Sequence, residues 1–245
     1  MTSTASLHEF CARRGDVATP CRHCGAREFN ICQALDAAQQ DKLLALATRL
    51  QLGKRERLFA AGDPARHVYN LTEGAVSVSR SLADGRRQIL GFLLPGDFLG
   101  LEPGESHHCD AETLTEAKVC RFERTTFETF LQDNPEVALR LLRIASSDLA
   151  QAARHELLLG RKTAVERIAT FLLDLRDRSG ARHLRTHPLA LPMTRSEIAD
   201  YTGLTIETVS RVLGRLRSGK VIELVGASAV RVLDDEELER LSGAS

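Results

Sequence analysis

Residues 194–220 read TRSEIADYTGLTIETVSRVLGRLRSGK. Thr194 and Glu197 stand at the spacing of a capping box, in which the hydroxyl and the carboxylate each accept from the other residue's backbone N–H. Ile198, Ala199 and Tyr201 then form the apolar side of a short helix. Gly203 supplies a turn and Leu204 its apolar anchor. A second helix is predicted from Ile206 to Arg217, with Val209, Val212, Leu213 and Leu216 on one face. Two helices joined by a glycine turn make a helix-turn-helix. Beyond Gly219, Val221–Leu224 and Val230–Leu233 flank Gly226 and predict a β-hairpin wing.

The residues off the apolar face of the second helix suit DNA. Glu207, Ser210 and Arg211 lie near its N-terminal half, the end that enters the major groove. Arginine donates two hydrogen bonds to guanine, a carboxylate accepts from the cytosine amine, and serine serves either role. Thr205 and Arg215 complete the expected DNA-contacting set. Residues 205–220 carry Arg211, Arg215, Arg217 and Lys220 against Glu207, a local charge of +3. The whole chain of 245 residues balances 33 Lys and Arg against 33 Asp and Glu. Bulk charge is therefore excluded as the means of holding nucleic acid, and the basic surface is local. Aromatic content of 4% with no Trp argues against stacking platforms for single strands. No apolar run approaches the ~20 residues of a membrane span, and Met1–Arg14 lacks the apolar core of a signal peptide, so a cytoplasmic location is expected.

Upstream, Ala37–Leu50 shows helical spacing in Leu43, Leu44, Ala47 and Leu50. From Gly53 to Glu123, short runs marked by Val68, Val76, Val78, Ile89, Phe92 and Leu94 alternate with turns. The turns are Gly62-Asp63, Glu73-Gly74, Asp84-Gly85 and Pro95-Gly96-Asp97. This pattern predicts an antiparallel β-roll or barrel. After Asn134, expected as a helix cap with Pro135 in the first turn, Leu142, Ala145, Leu149, Ala152, Glu156 and Leu159 recur at alternating steps of three and four. That is the period of a coiled-coil dimer seam with one acidic interruption. A break follows over Gly180–Pro192. The expected divisions are a cysteine-rich arm (1–34), a β-roll sensor (35–133), a dimerisation helix (134–160) and a winged helix-turn-helix (161–245).

Four of the six cysteines, Cys11, Cys21, Cys24 and Cys32, fall within the first 32 residues, with Cys109 and Cys120 distant. In a reducing compartment such clustering indicates metal binding rather than disulfides. Cys21-x2-Cys24-x7-Cys32 offers three thiolates, and Cys11, Cys109 and Cys120 are candidates for a fourth position. The spacing favours an iron–sulfur cluster; zinc and a redox dithiol stay open. His107-His108 beside Cys109 reads as a second metal site or as a solvated loop.

The order of cysteine arm, β-roll, long helix and winged helix resembles the CRP/FNR family of bacterial transcription regulators, and Glu207-Thr-Val-Ser210-Arg211 resembles the E-x-x-S-R reading motif of its oxygen-sensing FNR branch. The resemblance implies an α+β protein: an N-terminal cyclic-nucleotide-binding-like jelly roll, a dimerisation helix and a C-terminal winged helix-turn-helix. It implies no enzyme activity. It implies a homodimer on double-stranded DNA bearing TTGAT and ATCAA half-sites, controlling anaerobic or microaerobic genes. It also implies a 4Fe–4S cluster held by Cys21, Cys24, Cys32 and Cys120, the last in the strand Glu116–Phe122; Ile31, beside Cys32, is expected to shield such a cluster from solvent. Asp84, Gly85, Arg86 and Arg87 resemble the family's loop that touches RNA polymerase; a plain exposed hairpin turn is the competing reading. The cyclic-nucleotide branch pairs an Arg-Ser with the cyclic phosphate after a Gly-Glu. Here Gly104-Glu105 is followed by Ser106, His107 and His108, with no arginine until Arg121, so no cyclic nucleotide is expected.

Overall fold

Turns, all but the last containing glycine, divide residues 47–123 into eight strands: β1 (Ala47–Leu52), β2 (Arg57–Phe59), β3 (His67–Glu73), β4 (Val76–Ser81), β5 (Arg87–Leu93), β6 (Phe98–Leu99), β7 (Asp110–Thr113) and β8 (Ala117–Glu123). The computed structural model describes residues 24–243. The strands form two sheets, ordered β1-β8-β3-β6 and β2-β7-β4-β5. Gly74 makes the β3–β4 turn with φ of +88°, and a Cβ there would lie 2.3 Å from the Glu116 carbonyl oxygen. Only glycine fits both that backbone conformation and that approach.

Side-chain alternation sorts each strand between two cores. On β8, Ala117 and Val119 join Leu52, Phe59, Tyr69, Leu71 and Val76 in one apolar cluster. Cys120 and Phe122 point to the other face. There they join Val68, Phe98, Ile31, Leu35, Leu43, Phe127, Phe130 and Val137. The second cluster is covered by a 3₁₀ turn (Ile31–Ala34) and by helices α1 (Ala37–Leu46), α2 (Arg124–Asp133) and the start of α3 (Pro135–Arg161).

Several expectations change here. Helical spacing predicts α1 to Leu50, but the helix ends at Leu46, and Ala47–Leu52 forms β1, paired with β8 so that Leu50 faces Val119. The β8 edge supplies hydrogen bonds and apolar partners that outweigh a weak helical period. Asn134 does not cap α3 with its side chain. Its carbonyl starts the helix by accepting from Val137 and Ala138, while its amide donates to the Phe130 carbonyl at 2.7 Å and accepts from Gln39. The expected seam is divided. Leu142, Ala145, Leu149, Ala152 and Glu156 are exposed, Leu149 at 73%. Leu159 is half-buried, with its Cδ2 3.1 Å from where a Cβ on Gly203 would stand. Leu139 and Leu157 are exposed large apolar residues on α3 that the seam pattern omits.

The chain divides into two compact units. One holds the described residues up to Arg80 with Phe92–Ser147; the other holds Ser81–Gly91 with the described residues from Asp148 onward. The second unit contains the end of α3, then α4 (Ala164–Ala181), β9 (Leu189–Ala190), α5 (Arg195–Thr202), α6 (Ile206–Ser218), β10 (Ile222–Val225), β11 (Ala229–Val232) and α7 (Asp235–Leu241). The wing is a three-stranded sheet ordered β10-β11-β9, because Leu189 and Ala190 from the expected break pair with Val230 and Ala229. Among the described residues no helix is long and apolar enough to cross a membrane.

Candidate functional site

The DNA-facing element is built from its caps outward. The Thr194 N–H donates to Glu197 Oε2 at 2.7 Å, and the Glu197 N–H donates to Thr194 Oγ1 at 3.2 Å, closing the expected capping box of α5. Gly203 ends α5 in the left-handed conformation, φ +65°, where L side chains are strained. Thr205 then caps α6, accepting from the Thr208 N–H. Val209, Val212, Leu213 and Leu216 are buried on one face, as their spacing predicts.

Glu207, Ser210, Arg211 and Arg215 all lie exposed on the other side of α6. The Glu207 carboxyl is held below its ordinary range by its own backbone N–H, then by the Thr205 hydroxyl and by Arg211, so it is an anion at neutral pH. Arg211 Nη2 donates to Thr208 Oγ1 at 3.2 Å, which aims the guanidinium away from the apolar face. Thr208 is a site-shaping residue that sequence reasoning missed; its signal was the Thr205-x-x-Thr208 capping spacing.

The missed residue with most reach is Arg167 on α4. Its Nε donates to the Lys162 carbonyl at 2.8 Å and its Nη2 to Leu159 at 2.8 Å, while Nη1 reaches Thr202 at 2.9 Å and Gly203 at 3.3 Å. These carbonyls close the C-terminal ends of α3 and α5, which helix geometry leaves without partners. No periodicity signals such a bond set. His155 of α3 stacks on Tyr201 of α5 at 4.1 Å and bonds the Tyr201 carbonyl at 2.8 Å.

The expected polymerase-facing turn is only partly free. Asp84 and Arg86 pair with each other at 2.8 Å and are exposed, and Gly85 takes φ +85°. Arg87 is half-buried and engaged within the protein. Its Nε and Nη2 donate to Asp200 Oδ2 at 3.1 and 2.8 Å, and neighbouring Gln88 donates to the Tyr201 carbonyl. Arg87 is thus tied to α5, because a carboxylate stands within reach of its guanidinium.

Of the expected cluster ligands, Cys21 lies outside the described residues, as does the spare thiol Cys11. Cys24 precedes a turn in which the Arg27 N–H donates to its carbonyl. Cys32 packs against the buried cluster that contains Cys120 and Ile31. The parity of β8 accounts for this: Cys120 falls on the face covered by the 3₁₀ turn. Ile31 is fully buried there. Among the described residues, no three His, Cys, Asp or Glu side chains gather as a metal site.

The His107-His108-Cys109 segment is held by the protein itself. The His107 ring stacks on Phe59 at 3.7 Å and pairs through Nδ1 with Glu102 at 2.6 Å; His108 bonds the Pro103 carbonyl. Burial pushes the Cys109 thiol up to about 11, with Glu102 and Asp110 adding to the effect. Arg124 donates to the carbonyls of Ala65, Gly100 and Glu102, so this guanidinium is engaged with the loop backbone.

A β-roll joined by a long helix to a winged helix-turn-helix with a basic reading face defines a DNA-binding transcription regulator rather than an enzyme. Residues 49–134 match the cyclic nucleotide-binding domain model and residues 166–241 the Crp-like helix-turn-helix domain model. The transcriptional activatory protein AadR of Rhodopseudomonas palustris is 41% identical, covering 91% of this chain and 92% of its own. The nitrogen fixation regulation protein FixK of Bradyrhizobium diazoefficiens is 38% identical, covering 91% and 94%. The solved structure of FixK2 from Bradyrhizobium japonicum superposes with a TM-score of 0.75 at 40% identity, covering 81% of this chain and 98% of that one. The chain belongs to the CRP/FNR family of transcription regulators.

Proposed function

We propose that this regulator senses oxygen through a 4Fe–4S cluster held by Cys21, Cys24, Cys32 and Cys120, and activates anaerobic or microaerobic genes in the cytoplasm as a homodimer on palindromic DNA. The observation that carries the reading is that Cys32 packs against the buried apolar cluster that contains Cys120, a residue far from it in sequence. The chemistry of the donor set fits the group. Cysteine thiolates are the ordinary ligands of iron–sulfur clusters, and Ile31 and Leu35 keep the surroundings dry. When bound, the cluster would supply redox chemistry sensitive to oxidants, and Cys21, Cys24, Cys32 and Cys120 would hold it. Exposed Leu142 and Leu149 on α3 are the apolar surface for a second copy, joined by Leu139 and Leu157.

Sensing by Cys109 oxidation is disfavoured, since a thiol raised to about 11 carries little thiolate at neutral pH. Cyclic nucleotide is disfavoured by the engagement of Arg124 with backbone carbonyls and of Glu102 with His107.

The test is anaerobic purification with absorption spectroscopy and iron and sulfide analysis. Wild type and Cys109→Ala should hold four iron and four sulfide per chain, on the order of the ~4 each such a cluster contains, and Cys120→Ala should hold almost none. Full loading of Cys120→Ala, or wild type holding zinc instead, overturns the proposal.

A further inference from the structure

Two buried side-chain amides flank two thiols, the buried Cys120 and the half-buried Cys32, and each amide carries an unmade hydrogen bond. Asn30 is fully buried. Its Oδ1 accepts from the Cys32 N–H at 2.8 Å, capping the 3₁₀ turn and fixing the amide, while its Nδ2 has no partner. Asn70 is 2% exposed and stands directly opposite Cys120 in the β3–β8 register. Opposed residues project to the same face with Cβ atoms about 4.5–5.5 Å apart. Asn70 therefore shares with Cys120 the face covered by the 3₁₀ turn, and its Oδ1 has no partner. An amide turned about its last bond exchanges oxygen for NH2 in nearly the same shape.

Buried polar groups are almost always bonded, so each exception asks for a partner. Two exceptions beside two thiols, in an otherwise apolar patch, ask for the same one. Sulfur is an acceptor, and hydrogen bonds to cluster sulfurs are among the factors that set the reduction potential. Metal sites generally depend on such an outer layer.

We propose that Asn30 and Asn70 are positioning residues whose side-chain NH2 groups donate to the sulfur atoms of the group held by Cys21, Cys24, Cys32 and Cys120. This rests on the cluster reading above. N–H donation to sulfur stabilises the more electron-rich state. Loss of either donor therefore lowers the midpoint potential and makes loss of electrons to dioxygen easier. Asn30 also links the two roles in one side chain: its oxygen holds the Cys32 backbone while its nitrogen serves the sulfur.

The test uses the full-length chain, purified without oxygen, as wild type, Asn30→Ser and Asn70→Leu. Serine retains a capping oxygen for the Cys32 N–H but is too short to reach as the amide does. Leucine matches the size of asparagine and removes its polar atoms. Expected are shifted Fe–S stretching bands by resonance Raman, a lower midpoint potential by spectroelectrochemistry, and roughly tenfold faster bleaching in air, the factor carried by one charge-assisted hydrogen bond. Metal-free Asn70→Leu should melt no lower than metal-free wild type, since its orphaned atom contributes no bond to the empty fold; a purely structural role predicts a lower melting temperature instead. Unchanged Raman bands and potential in both variants overturn the inference. Wild type that holds neither iron nor sulfide overturns the cluster reading itself, a result distinguishable from the first.

Discussion

Arg167 offers the sharpest test of how the reading helix is held. Replacing it with Met keeps much of the aliphatic stem and removes every donor. Three of its bonds, to Leu159, Lys162 and Thr202, are 2.8, 2.8 and 2.9 Å long, while the fourth, to Gly203, is a weaker 3.3 Å. Hydrogen bonds from a charged donor contribute about 1.5–3 kcal/mol each. The half-buried position favours the low end of that range. Freeing the side chain returns about 2 kcal/mol of rotamer entropy. The net loss is about 2–3 kcal/mol, which corresponds to roughly 30- to 150-fold more frequent local opening. The assay is native-state hydrogen exchange of the full chain. Amides of α5 and α6 should lose that factor of protection, while those of β3 and β8 should not change. DNA affinity should fall with it, because α6 is presented by the α5–α6 turn that Arg167 anchors through Thr202 and Gly203. Arg167→Lys, a point charge without the planar fork, should recover only part of the loss. Protection unchanged to within about twofold would refute the argument and show that water serves those carbonyls equally well.

Arg211→Ala should weaken specific DNA binding by about 1–3 kcal/mol and relax choice at one base position, whereas Arg215→Ala should weaken all sequences alike and reduce the salt slope by about one; competition titrations at several salt concentrations separate the two. Gly74→Ala forces a Cβ to within 2.3 Å of the Glu116 carbonyl at φ +88° and should destabilise the β-roll by about 3–5 kcal/mol in thermal melts. Gly85→Ala, with φ +85° but open space around it, should cost only about 1–2 kcal/mol. Cys109, with its thiol raised to about 11, should react slowly with iodoacetamide at pH 8, and the rate should climb about tenfold per pH unit through pH 10 without a plateau; a plateau near pH 9 would show an unperturbed thiol.

The helix-turn-helix was legible in the sequence because its signals are local. A capping box, a glycine turn and an apolar face at 3.6-residue period act within a few residues of one another, and the structure reproduces each at Thr194–Glu197, Gly203 and Val209–Leu216. Glu207, Ser210, Arg211 and Arg215 were legible as exposed for the same reason. The β-roll turns at Gly74 and Gly85 were likewise announced by their own residues. Where two distant segments had to meet, the sequence was silent. Ala47–Leu50 carries helical spacing yet is a strand, because β8 offers it a ladder. Leu189–Ala190 looks like linker yet edges the wing, because β11 has an unpaired side to fill. Leu159 has the period of a seam yet lies close to Gly203, and Arg87 has the look of a free loop cation yet holds Asp200. Cys120 belongs with the arm only because strand parity turns it to the face on which Cys32 packs. Asn30 and Asn70 carry no motif at all; that each is buried with an unmade bond beside a thiol is a property of tertiary packing. Local hydrogen bonding and periodicity are written residue by residue, whereas register, parity and burial come into being only when the chain closes on itself.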